Sequence, residues 1–140
     1  MRVVLASDPE GSALKDDIAA YLEEQGHEVA DEGEQADCVD AALKVAHAVL
    51  DDPASRGIVV DGYGAGSYMA ASKVKGMICA EISDERSAYM TRQHNNAKVI
   101  CLGAQIVGPG LAKSIAREFL AADYDGGRHQ IRVDMLDKMA

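Results

Sequence analysis

Short apolar runs alternate with longer amphipathic stretches along this chain, which is the spacing of consecutive strand and helix units. Strands are predicted at Arg2 to Ala6, His27 to Ala30, Gly57 to Asp61, Met77 to Ile82 and Lys98 to Leu102. Between them the period lengthens. Ser12 to Gln25 sets Leu14, Ile18, Tyr21 and Leu22 on one helical face and meets a stop at Gly26. Asp37 to Asp51 repeats Val39, Leu43, Ala46 and Leu50, and a third helix, Ser67 to Val74, follows a glycine cluster. Ser83 precedes Asp84 and Glu85, an N-cap ahead of acids that suit the positive end of a helix, so a fourth helix is expected to run to Asn95. Gly108 and Pro109 open a fifth, to Ala122, because proline suits the first helical position. The tail reads as a turn at Asp125, Gly126 and Gly127 followed by a short helix. Five strand–helix units predict an α/β fold, a three-layer α/β/α parallel sheet, with ligands beyond the carboxyl ends of the strands.

Composition narrows the function. A chain of 140 residues, 48% hydrophobic and 26% charged, reads as a single globular domain over residues 1–140. Acidic residues outnumber basic ones 23 to 14, for a formal charge of -9, which argues against nucleic acid or an anionic membrane as partner. No apolar run approaches the roughly 20 residues of a membrane helix, and the start of the chain lacks the long apolar core of a signal peptide. A cytoplasmic location is expected. Cys38, Cys79 and Cys101 form no CxxC pair, so three free thiols and no structural zinc are expected.

Four features carry candidate chemistry. Ser7 and Asp8 follow the first strand, where Asp8 serves equally well as a helix cap or as a site carboxylate. After the third strand comes Asp61-Gly62-Tyr63-Gly64-Ala65-Gly66-Ser67, whose alternate glycines Gly62, Gly64 and Gly66 let backbone N–H groups approach an anion at a helix start. This is no dinucleotide fingerprint, since Ser67 stands where the third glycine is required. His94, Asn95 and Asn96 close the fourth helix, where a histidine either answers the helix dipole or supplies a group titrating near neutrality. In the tail Arg128 and Arg132 stand four apart beside His129, either as a phosphate clamp or as ion-pair partners of Asp125, Asp134 or Glu118. Together these supply proton transfer on a small phosphorylated substrate, with no metal ligands at usable spacing and no cofactor.

The run from DGYGAGSYMAASK through SDERSAYMTRQHNNA to GGRHQIRVDML closely resembles the family of ribose-5-phosphate isomerase B and the galactose-6-phosphate isomerase subunits, and looks most like the A-type subunits. The resemblance covers the whole chain and is strongest from Gly57 to Met139. It implies the strand order 2-1-3-5-4, a site shared between two subunits, and aldose–ketose interconversion of a sugar phosphate through a cis-enediol, most of all galactose 6-phosphate to tagatose 6-phosphate. By the same resemblance His94 opens the sugar ring, Asn95 holds the sugar, and Gly62, Gly64 and Gly66 face the enediolate. Arg128, His129 and Arg132 then hold the phosphate end, and Asp8 is the carboxylate after the first strand. Four positions depart from the homomeric pattern. Asp61 stands in place of the proton-transferring cysteine, Tyr63 in place of a hydroxyl residue, Pro9 in place of a histidine, and Gln105 in place of an arginine. These departures imply a hetero-oligomer in which a cysteine-bearing B-type subunit completes each site. The alternatives are a homo-oligomeric isomerase with Asp61 as the base, and a non-catalytic phosphosugar-binding module.

Overall fold

The computed structural model describes residues 1–139, with Ala140 outside them. Strands β1 (Arg2–Ser7), β2 (Glu28–Glu34), β3 (Arg56–Asp61), β4 (Cys79–Glu81) and β5 (Val99–Gly103) form one parallel sheet in the order β2-β1-β3-β5-β4, the order implied above. Successive side chains of a strand alternate between faces, and here both faces are buried. On one side Val3, Leu5, Ile58, Val60, Ile100 and Leu102 pack against α1 (Ser12–Glu24), α4 (Glu85–Asn95) and α5 (Pro109–Ala121). On the other Val4, Ala6, Val59, Val99 and Cys101 pack against α2 (Cys38–Asp51), beside which lies α3 (Ala65–Ser72). A 3-10 turn at Gly127–His129 leads into α6 (Gln130–Lys138). No helix of the described residues is long and apolar enough to cross a membrane, and Cys38, Cys79 and Cys101 are free thiols.

Several expectations are corrected. Ser83 does not cap α4. Asp84 is the cap, its Oδ1 accepting the Ser87 N–H at 2.7 Å, while Ser83 Oγ donates to Glu81 at 3.1 Å. Helix α3 begins at Ala65 rather than Ser67, because Gly64 at φ 81 turns the chain directly into it, and it ends at Ser72 rather than Val74. The buried stripe of α2 is Ala41, Ala42, Val45, Ala46 and Val49, so Val39 faces outward. The small alanines let the helix sit close to the sheet, and apolar periodicity alone overweights the larger residues. Strand β2 continues past Ala30 through exposed Asp31 and Glu32 to Glu34. It is an edge strand, held in part by Lys15, whose Nζ donates to both Asp31 oxygens at 2.7 and 2.8 Å. Burial lowers the Lys15 pKa, but the bonds to Asp31 and Asp16 outweigh it and raise the pKa overall. Strand β4 is shorter than Met77 to Ile82, pairing only at Cys79, Ala80 and Glu81.

Candidate active site, divided between two edges

At the carboxyl edge of the sheet Asp8 Oδ1 accepts the Gly11 N–H at 2.9 Å, so it braces the entry to α1, whose cap residue is Gly11. A Cβ on Gly11 would collide with the Val60 carbonyl, which fixes glycine where β1 and β3 lie close. Asp61, 4% exposed, turns back into its own loop. One carboxylate oxygen accepts the Gly64 N–H at 2.6 Å and the other the Ser67 N–H at 3.2 Å. The glycine loop therefore does not present all its amides to a ligand, since the chain's own carboxylate takes the Gly64 and Ser67 N–H groups. The Ala104 and Gln105 amides bind the Asp61 and Gly62 carbonyls at 2.8 and 2.9 Å, holding the loop against the end of β5. Tyr63 projects from the loop tip, 65% exposed.

Two neighbours of this loop escaped the sequence reading. The Glu10 carboxylate lies against Gly62, where a Cβ would strike it, and Cys38 Sγ lies against Gly66. Glu10 is near in sequence to Asp8 and could have been suspected; Cys38 arrives from α2 with no signal in the pattern. The Cys38 thiol pKa is raised, by burial first and then by the charges of Asp61, Asp37 and Asp8.

The other predicted residues stand elsewhere. Helix α4 leaves the carboxyl end of β4 and returns to the amino end of β5, so His94 and Asn95 in its last turn lie at the opposite edge of the sheet. Eleven residues at 1.5 Å each put about 16 Å between the ends of that helix. This overturns the expectation that all the chemistry gathers at the carboxyl ends. Arg92, buried and with its pKa lowered to about 10 by desolvation and then by Arg56, donates from Nη1 to the Ala97 carbonyl at 2.9 Å, fixing the turn after the helix. Thr91 Oγ1 donates to Asn95 Oδ1 at 3.1 Å, which leaves the Asn95 amide hydrogens to point outward. Thr91 and Asn95 are four apart on one helix, a signal that was available in the sequence.

The tail crosses this edge, since the Asp125 N–H donates to the Gln93 carbonyl at 3.0 Å. It lays the His129 ring on the His94 ring, with centroids 4.2 Å apart and planes 15° from parallel. Arg128 precedes α6 in the 3-10 turn and Arg132 lies in its first turn; both are exposed. Among the described residues neither guanidinium makes an ion pair, so the pairing to Asp125, Asp134 or Glu118 considered from the sequence is absent. The structure thus forms two clusters, Asp8, Asp61, Gly62, Gly64 and Gly66 at one edge and His94, Asn95, Arg128, His129 and Arg132 at the other. The charges that shift Cys38 and those that shift His129 share no member. Among the described residues no group of three or more His, Cys, Asp or Glu stands as a metal site.

Along edge strand β4 runs a groove of about 570 Å³, from Asn95 to Glu81, walled by Tyr68 of α3 and Leu136 of α6 together with Met139. Met139 of this groove is more than half exposed, as are Met69 of α3 and Ile131 and Met135 of α6.

The chain matches the family described as Ribose/Galactose Isomerase over residues 3–136. It is similar to the galactose-6-phosphate isomerase subunit LacA of Enterococcus faecalis, 61% identical with all of both chains covered. It is also similar to the subunit of the same name from Streptococcus mutans, 57% identical over 99% of each. Among solved structures it resembles ribose-5-phosphate isomerase B of Clostridium thermocellum, with TM-score 0.93 and 40% identity over 98% of this chain and 95% of that one.

Proposed function

The chain belongs to the ribose/galactose isomerase family, and from that premise we propose that it is the A-type subunit of an aldose–ketose isomerase interconverting galactose 6-phosphate and tagatose 6-phosphate. The observation that supports this reading is the separation of the two clusters of candidate residues to opposite edges of one sheet. One chain cannot bring the His94 cluster to a glycine loop roughly a helix length away. A second chain seated along β4, α3 and α6 can offer its loop to this chain's His94, which accounts for the apolar groove there.

In this reading Arg128 and Arg132, without an ion-pair partner among the described residues, grip the substrate phosphate with charge-assisted hydrogen bonds. His94 accepts the anomeric hydroxyl proton and returns it to the ring oxygen as the bond between C1 and that oxygen breaks, and the ring opens. Asn95 donates to a sugar hydroxyl. The C2 proton then leaves to a cysteine of the B-type partner and returns at C1 by way of the cis-enediol, whose oxygen anion is stabilised by loop amides. Asp61 of this chain is poorly suited to that transfer, because each of its oxygens already accepts a backbone N–H. A cytoplasmic setting fits such a substrate.

The test is isomerisation by the chain alone against its mixture with a B-type subunit. The chain alone is expected to be nearly inactive and the mixture active, with His94→Ala in this chain suppressing turnover of the cyclic sugar. Robust activity of the chain alone that vanishes in Asp61→Asn would establish the homomeric carboxylate-base reading instead. Inactivity of the mixture would leave a phosphosugar-binding role.

A further inference from the structure

His94 is placed by backbone at the end of α4, yet among the described residues no hydrogen bond reaches its ring or that of His129. The restraint the structure does provide is the face of His129, at 4.2 Å and 15°. We infer that His129 is a positioning residue for His94, a stacked ring that sets the plane in which His94 meets the sugar and leaves both His94 nitrogens free at the ring edge. The inference deepens the isomerase reading and rests on it.

Three features support this role over that of a third phosphate ligand. Face-to-face contact consumes no ring nitrogen, so stacking orients His94 without competing for the proton it must accept. The tail is itself anchored, by the Asp125 N–H on the Gln93 carbonyl and the His129 N–H on the Gly126 carbonyl at 3.1 Å, so the His129 ring is held against α4. Its electrostatic setting also favours a neutral ring. Desolvation, then His94 and Arg128, lower its pKa, Arg132 acts in the same sense, and Asp125 opposes them. A neutral imidazole stacks on its neighbour without the repulsion that two cations would meet.

The experiment compares His129→Ala and His129→Phe in this chain, each mixed with the B-type subunit. The Phe variant keeps a flat ring and removes the nitrogens. If His129 acts through the stack, Ala lowers kcat on the cyclic sugar phosphate about ten-fold with little change in KM, and Phe restores most of the loss. The His94 ring protons in the NMR spectrum should be displaced by the neighbouring ring in wild type and Phe and return toward ordinary values in Ala. A rise in KM of similar size in both variants, with kcat unchanged, would make His129 a phosphate ligand and overturn the proposal, as would an unshifted His94 signal in the wild type. Wild-type mixture without turnover overturns the isomerase reading and this proposal together, whereas wild-type turnover with a fully active Ala variant overturns this proposal alone.

Discussion

At Asp61 one side chain sets what the glycine loop of this chain can do. Its oxygens occupy the Gly64 and Ser67 amides, so the loop is braced internally, and the neighbouring Asp8 and Glu10 add negative charge at that edge. Arg128 and Arg132 are the opposite case, exposed cations with no ion-pair partner among the described residues. Arg132→Ala should weaken sugar-phosphate binding by about ten- to a hundred-fold, the worth of one charge-assisted contact. Calorimetric titration of the assembled enzyme checks this, and unchanged affinity with the fold intact would remove Arg132 from the site. The spacing of the two arginines was legible in the sequence. The state of Asp61 was not, because a carboxylate after a strand looks the same whether it faces a substrate or folds back on its own amides.

Helix α4 is the element on which the proposed site depends. Its start is capped by Asp84 and its end carries His94 and Asn95, with Arg92 and Thr91 on the same last turns holding the exit and the Asn95 amide. The Ser87 amide holds the Asp84 carboxyl below the usual carboxylate range. Because the folded pKa is depressed, the cap stabilises above the unfolded value near 3.9 and fades as pH falls through the folded one. Asp84→Ala should therefore lower Tm at neutral pH, with the gap from wild type closing in acid, while Ser83→Ala should change Tm little; thermal melts across pH check both. Apolar spacing located the helix, but two adjacent capping residue types left the choice of cap to backbone geometry. The same limit shows in α2, where alanines define the buried stripe that Val39 and Leu43 were expected to mark.

The whole molecule is a sheet whose two edges each carry one cluster of the proposed site, with an apolar groove along β4 between them. On the proposed reading this arrangement predicts that the chain self-associates. Leu136 lies 37% exposed on α6 at that face, so Leu136→Asp should shift the chain toward monomer without loss of helical signal, read by analytical ultracentrifugation and circular dichroism. A variant that assembles like wild type would move the interface elsewhere.

The sequence by itself determined the α/β alternation, the existence and order along the chain of five strands, the glycine turn and the candidate residues of both clusters. Those follow from local chemistry, namely which side chains bury, which cap and which permit a positive φ. Only the tertiary structure decided which residues meet. Parallel strands joined by returning helices send the end of each helix to the edge opposite the strand tip it left, so His94 parts from Asp8 and Asp61 although all three border strands. The same geometry brings Cys38 to Gly66 and the tail to α4, contacts between segments distant in the chain that no local pattern encodes.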